Sequence, residues 1–550
     1  MDTKTILDNL TGPGAPFEMV EEEVRGVPMR VLADRPRSLG ELVERSRDHD
    51  GKEFIVSGER RIRFDDHRAA VADIAAALES GYGIGPGDRV ALFGANSPEW
   101  ILSFWAIVSL GAVAVGMNGW WAAEEAEYAL GDSDPKLLIG DRKRLARIQG
   151  RSFPFPVLEM ESQVQDFVTG KDAALPRAEV DEDDPACILY TSGTTGRPKG
   201  AVLSHRAVIA CVGLQTLNGA AMFLASGATS PPGPTCTLLT TPLFHVSGLL
   251  TGAVMMLATG AKIVLHEGRF DPVEIMRLIE REKVTSWGAM STMAHRVVND
   301  PRFAEFDLSS LRNLGSGGAP MSRELQRQIR EALPAVRDMM AIGYGLTECG
   351  GIATINVGAE FERHPDSVGR PMPGVEVEVR DASGRPLPEG EEGEIHVRSP
   401  LLMSEYWRNP EATREAILPG RWLKTGDIGR FEAGRLYINS RARDLILRGG
   451  ENIYPIEIEQ ALEASPLIAE AAVLGVDHPE LGQEVMAVIV PEAGAAPTEE
   501  VLREWLTGRI APFKIPSRWC FRKTPLPRNA TGKVMKGLLL DEAPNPLLDE

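Results

Sequence analysis

The chain has 550 residues, room for three or four lobes at about one domain per 150 residues, and 43% of them are apolar, which is ample for large cores. Asp and Glu outnumber Lys and Arg by 78 to 59, and a net charge of −19 with no local basic stripe excludes nucleic acid as a partner. Five scattered cysteines, Cys187, Cys211, Cys236, Cys349 and Cys520, never in CxxC spacing, read as small buried apolar residues of a reducing compartment, without disulfide or metal use.

In chain order, "MDTKTILDNLTG" lacks the basic start and apolar core of a signal peptide, and "PLLDE" at the other end matches no address or lipidation signal. Cytoplasm is the expected location. "FDDHRAAVADIAAALES" (64–80) reads as a helix. The uncharged stretch from Trp100 to Ala123 has the length of a membrane span. Its punctuation says otherwise: Ser97 is a good N-cap, Pro98 suits the first helical position and Glu99 the positive end of the helix dipole, so a helix should run to about Gly111 and a buried strand, "AVAVGMN", should follow. No transmembrane segment is expected, which leaves peripheral membrane contact and a homodimer open. Apolar runs at "RVALFG" (89–94), "KLLIG" (136–140), "CILYTS" (187–192), "TLLTTPLF" (237–244) and "KIVLH" (262–266) alternate with helical segments, the pattern of parallel strands buried on both faces. The fold class is therefore α/β. From about 375 to 440 the texture becomes alternating strands and hairpins. Beyond it an α+β tail of about 105 residues is expected, with a helix from Pro455, strands near 469–476 and 484–491, a helix near 498–510 and a strand near 517–522.

Between the strand "CILYTS" and Gly200, the loop holding Thr191, Ser192, Gly193, Thr194, Thr195, Gly196 and Lys199 concentrates hydroxyls, glycines and one cation. Glycines bring backbone N–H groups close to a ligand, and hydroxyls and Lys199 add donors, a set that suits phosphate. The spacing is not that of a P-loop NTPase. Alone, such a loop is equally a plain connection.

"TSGTTGRPKG" is followed in order by "PLFHVSG" (242–248), "SGGAPMS" (316–322), "GYGLTE" (343–348), "VGRPMPG" (368–374), "WLKTGD" (422–427), "LILRGGENIYPIEIE" (445–459) and "LPRNATGKVMK" (526–536), with "RVALFGANSPEW" (89–100) ahead of it. On these motifs the chain resembles the adenylate-forming superfamily, in its acyl-CoA synthetase branch. The resemblance implies a large N-terminal domain of stacked α/β layers with a β-barrel (1–440), a hinge (441–444) and a small mobile C-terminal domain (445–550). It also implies a reaction. A carboxylate attacks the α-phosphate of ATP, pyrophosphate leaves, and coenzyme A intercepts the acyl-adenylate.

The roles implied by the resemblance are as follows. Thr191 to Lys199 hold the β- and γ-phosphates, and Glu348 binds Mg²⁺. Gly317, Gly318 and Ala319, with Tyr344, Gly345 and Thr347, fall at the nucleotide, Tyr344 where a residue stacks on adenine. Asp427 accepts from the ribose hydroxyls, Arg441 reaches the phosphates, and Lys533 touches the attacking carboxylate and the α-phosphate. Arg443 matches the pivot, and Arg448, Gly449 and Gly450 the coenzyme A tunnel. His245, Trp287, Met290 and Gly317 lie on segments that line the acyl pocket in relatives, with Trp287 either setting a length limit there or belonging to the core. No acidic residue stands in those segments to bind a substrate amine, so a medium- to long-chain fatty acid or a similarly apolar acid is expected. A ligase that loads a carrier-protein phosphopantetheine shares every motif. A non-enzymatic ATP- or acyl-binding regulator is disfavoured by the presence of Lys199, Glu348, Asp427 and Lys533 together.

Overall fold

The computed structural model describes residues 3–170, 173–191, 198–227, 233–318, 321–441, 444–448, 451–478, 481–529 and 533–540. Two large sheets share one helical layer. The first has seven strands in the order Glu405–Tyr406, Lys199–Ser204, Pro185–Thr191, Val113–Gly116, Arg89–Phe93, Leu137–Gly140 and Val157–Glu159, parallel from Pro185–Thr191 onward. Lys199–Ser204 is antiparallel to both of its neighbours. The second sheet runs in parallel through Glu53–Ser57, Lys262–Leu265, Cys236–Leu239, Ser286–Gly288, Asn313–Gly317 and Met340–Tyr344. It turns antiparallel at Thr354–Val357 and Ser367–Pro371, then continues into Arg435–Arg441, Trp422–Glu432, Gly393–Arg398 and Glu376–Arg380. The β-rich segment expected at 375–440 is thus hydrogen-bonded edge to edge with the α/β sheet.

Strand geometry explains why the apolar runs are continuous rather than alternating. Successive side chains point to opposite faces, so a strand covered on both sides feeds two cores. Val90 and Leu92 pack in the core between the sheets, whereas Ala91 and Phe93 pack outside the first sheet. Likewise Ile55, Leu239 and Ile263 face the inter-sheet core, and Val56, Leu238 and Val264 face the helices outside the second sheet. The inter-sheet layer includes Phe64–Tyr82 and Pro98–Ser109. The latter starts as its sequence dictates: Ser97 Oγ accepts from the Trp100 N–H at 3.1 Å with Pro98 in the first turn, and all twelve residues are buried. At 12 residues it is too short to span a bilayer.

Among the described residues one helix, His205–Ala225, is long and apolar enough to cross a membrane. Here it packs on the N-terminal helix Thr3–Thr11, and its first residues His205 and Arg206 are buried. Arg206 and Arg35 form a buried ionic network with Glu22, Glu182 and Asp183 at 2.6–3.4 Å, which fastens the hairpin Met19–Leu32 to the segment leading into Pro185–Thr191. Four of the cysteines are buried and Cys520 is half-buried, all with free thiols.

The C-terminal residues form a five-stranded sheet, Glu451–Ile453, Ile446–Arg448, Gly482–Pro491 and Ile468–His478 in order, with Arg518–Phe521 added in parallel to Gly482–Pro491. Pro455–Glu463 and Glu499–Leu506 pack on it around Ile458, Leu462, Val473, Val485 and Leu502. The expected helix from Pro455 and the three expected strands of the tail are present, whereas the helix expected at 498–510 stops at Leu506 and the hairpin of Ile446–Arg448 and Glu451–Ile453 was not expected. "TLLTTPLF", in contrast, is a strand only from Cys236 to Leu239.

Candidate active site

The sequence-predicted residues of the large domain gather just beyond the carboxyl ends of the parallel strands, where open α/β sheets bind ligands. Thr191 ends Pro185–Thr191 and Lys199 begins Lys199–Ser204, the two facing each other in register with Thr191 Oγ1 at 3.4 Å from the Lys199 carbonyl. They form the mouth of a hairpin whose tip, including Ser192, Gly193, Thr194, Thr195 and Gly196, lies outside the described residues. The two sheets are tied together at this end by Asn96, which follows Arg89–Phe93. Its Nδ2 donates to the Thr241 carbonyl and its Oδ1 accepts from the Leu243 N–H, each at 2.8 Å.

The turn after Met340–Tyr344 carries three of the candidates. Gly345 is required there by close approach, since a Cβ would stand 2.4 Å from the Gly351 carbonyl oxygen. On one side of this turn, the buried Tyr344 hydroxyl donates to Asp427 Oδ2 at 2.8 Å. Burial and the adjacent carboxylate push the Tyr344 phenol well above its ordinary range, so it remains a donor. Asp427 is only 4% exposed and is aimed by its own strand: Gly426 has φ 72°, and the Asp427 N–H donates to Thr425 Oγ1 at 3.1 Å. Arg441 stands directly opposite Asp427 in the antiparallel register at the end of Arg435–Arg441, and its side chain is outside the description.

On the other side of the turn, Thr347 is buried and Glu348 Oε1 accepts from the Tyr406 hydroxyl at 2.8 Å. Lys199 Nζ lies over the Tyr406 ring, 5.2 Å from its centroid. Tyr406 was not singled out in the sequence. The adjacent "EYWRNPEAT" was a signal for it, but its partners lie far away in the chain. A lone carboxylate fits Mg²⁺ better than a caged metal: no group of three His, Cys, Asp or Glu stands together among the described residues, and Mg²⁺ takes most of its ligands from phosphate and water.

Gly317 pairs with Gly343 on the neighbouring strand, beside Tyr344, and Gly318 follows with φ 75°. Ala319 is outside the described residues. Met290 is the half-buried N-cap of Ser291–Val298. His245 is half-buried at the start of a short helix, its Nδ1 3.1 Å from Ser247 Oγ, and burial pushes its pKa down to about 4, so the ring is neutral at pH 7.

Of the two places open to Trp287, it takes the core. It is fully buried in the core outside the second sheet, in register with Leu238 and Leu314, and its indole N–H donates to Thr240 Oγ1 at 3.0 Å. The strand's alternation turns the indole away from the face that carries Gly288. Trp287→Phe should therefore lower stability by about 1 kcal/mol, the value of the lost hydrogen bond, and leave the ranking of acids by chain length unchanged. A changed ranking at unaltered melting temperature would return Trp287 to the pocket.

Lys533 sits in a stapled turn of the C-terminal residues. Its N–H donates to Asn529 Oδ1 and its carbonyl accepts from the Asn529 N–H, both at 2.9 Å. The turn's flanks are pinned by Arg528–Glu470 at 2.6 Å and Lys536–Glu459 at 2.7 Å. Arg448 lies on Ile446–Arg448 opposite Glu451, whereas Arg443, Gly449 and Gly450 are outside the described residues. A cavity of about 90 Å³ between the N-terminal hairpin and His205–Ala225 shares no lining residue with these groups.

Residues 42–407 match the AMP-binding enzyme family and residues 457–533 its C-terminal domain. A feruloyl-CoA synthase from Amycolatopsis is 33% identical over 510 residues, covering 92% of this chain and 98% of its own. The long-chain-fatty-acid–CoA ligase FadD13 of Mycobacterium tuberculosis is 34% identical over 488 residues, covering 86% and 92%. Among solved structures, ATP-bound MatB from Rhodopseudomonas palustris superposes with a TM-score of 0.79 at 30% identity, covering 92% of this chain and 98% of that one. The chain belongs to the AMP-binding enzyme family, in its AMP-forming acyl-CoA ligase branch.

Proposed function

We propose that the protein activates a hydrophobic monocarboxylic acid, in the first place a medium- to long-chain fatty acid, as its acyl-adenylate and transfers the acyl group to coenzyme A, releasing AMP and pyrophosphate. The choice of an apolar acid rests on the open face of the strands beside Tyr344. There Gly288 pairs with Gly315 and Gly317 with Gly343, and at Gly288 and Gly315 nothing lies within 4 Å of where a Cβ would stand. The segments "PLFHVSG", "SWGAM" and "SGGAP" that flank that face, with the neutral His245 and Met290, contain no Asp or Glu, which suits an apolar chain.

In this reading Asp427 and Tyr344 bind the nucleoside, and Thr191, Lys199 and Arg441 hold the phosphates in line for attack. Glu348 holds Mg²⁺, which when bound offsets charge on the β- and γ-phosphate oxygens. Lys533 steadies the incoming carboxylate against the α-phosphate. Residues 441–444 act as the hinge about which 445–550 turn between half-reactions, Arg443 being the pivot, and the turned domain brings Arg448, Gly449 and Gly450 to the pantetheine arm. The place of work is the cytoplasm.

The test is AMP release with ATP and free coenzyme A across straight-chain acids of increasing length and aryl acids such as ferulate. The two relatives are named for a feruloyl group and a long-chain fatty acid at nearly equal identity, 33% and 34%. The highest kcat/KM is expected for a fatty acid of medium or long chain. A clear preference for aryl acids would overturn that choice. AMP release that needs a phosphopantetheinyl carrier protein in place of free coenzyme A would overturn the acceptor.

A further inference from the structure

Tyr406 belongs to a two-residue strand, Glu405–Tyr406, that closes the edge of the first sheet against Lys199–Ser204. It is anchored on both sides. Its own N–H donates to Thr413 Oγ1 at 2.9 Å, and the next residue's N–H donates to the Gly200 carbonyl at 2.7 Å. The segment just before it is bonded to the acidic turn, with the Met403 N–H donating to the Glu348 carbonyl at 2.9 Å. One half-buried side chain thus touches two groups that reach the site from different sheets: the hydroxyl meets the Glu348 carboxylate and the ring face meets the Lys199 ammonium.

A carboxylate with one oxygen committed to a hydroxyl presents the other in a defined direction. A lysine on a flexible four-carbon stem is confined when its charge rests on an aromatic face. We propose that Tyr406 is a positioning residue that aims the Glu348 carboxylate and holds the Lys199 ammonium at a fixed spacing from it, so that a metal-bridged triphosphate meets both at once. The inference rests on the reading of Glu348 as the Mg²⁺ ligand and Lys199 as a phosphate ligand.

The experiment is calorimetric titration of the full-length protein with ATP, in Mg²⁺ and in EDTA, without any acid so that no turnover occurs. Tyr406→Phe keeps the ring and loses only the hydroxyl. It should reduce the Mg²⁺-dependent gain in ATP affinity by about three- to ten-fold, with metal-free ATP affinity and melting temperature unchanged. Tyr406→Leu removes the ring as well and should also weaken metal-free ATP binding by about three-fold. Glu348→Gln separates the premise from the inference. If it abolishes the Mg²⁺-dependent gain while Tyr406→Phe titrates as the parent does, the role of Tyr406 is overturned and that of Glu348 stands. If Glu348→Gln retains the full gain, the reading of Glu348 is wrong and the inference falls with it. An equal loss in both titrations together with a lower melting temperature in Tyr406→Phe would reduce Tyr406 to packing.

Discussion

Replacing Lys533 with alanine is expected to slow formation of the acyl-adenylate by roughly 10²-fold or more, the usual effect of removing an electrostatic donor aimed at charge that develops in a transition state. Thioester formation from preformed acyl-adenylate should suffer far less. The selectivity is read at unchanged melting temperature, and the turn that carries Lys533 has backbone anchors of its own. Its backbone is held by Asn529, and its flanks by Arg528–Glu470 and Lys536–Glu459, none of which the substitution touches. Carboxylate-dependent pyrophosphate exchange measures the first half-reaction, and acyl-CoA produced from synthetic adenylate measures the second. Equal losses in both, at unchanged melting temperature, would remove Lys533 from the adenylation step.

Asp427→Ala should weaken ATP binding by roughly 10- to 100-fold, since each hydrogen bond to a charged group is worth about 1.5–3 kcal/mol. The carboxylate is buried and already accepts from Tyr344, and the Asp427 backbone N–H is fixed on Thr425, so little ordering remains to be done when a ribose arrives. Asp427→Asn, which keeps an oxygen to accept from Tyr344, should fall between the parent and the alanine variant. ATP affinity that is indifferent to both changes would refute the assignment.

Where a feature is written in neighbouring residues, the sequence reveals it. The helix at Pro98 is announced by Ser97, Pro98 and Glu99, and the strands at 89–93 and 262–265 by apolar runs that only a doubly covered strand can satisfy. The acidic turn and the strand at Gly426 travel with their motifs because Gly345 answers the close approach of Gly351 and Gly426 answers its own positive φ. Trp287 shows the limit. Whether it faces groove or core is decided by one step of strand alternation and by Leu238 and Leu314 on neighbouring strands, information that no local window contains. Tyr406 was missed for the same reason, as its two partners are 58 residues away in the chain at Glu348 and more than 200 residues away at Lys199. Asn96 likewise sits inside a visible motif, yet its task of joining two sheets appears only when Thr241 and Leu243 are beside it.

The strand that closes the first sheet also sets a schedule for synthesis. Ala201 pairs with Tyr406, and every parallel strand of the second sheet except Glu53–Ser57 lies between them in the chain. At about 5–20 residues per second, some 10–40 s pass on the ribosome between the emergence of Lys199–Ser204 and that of the segment that will cover it. For that interval the strand is an open edge of unpaired N–H and C=O groups flanked by the apolar Ala201, Val202 and Leu203, the kind of edge on which another chain can add. The nascent protein therefore carries this edge from the point where nearly two-thirds of it is still to be made until about a quarter remains, and the residue that ends the exposure is the one that joins Lys199 to Glu348.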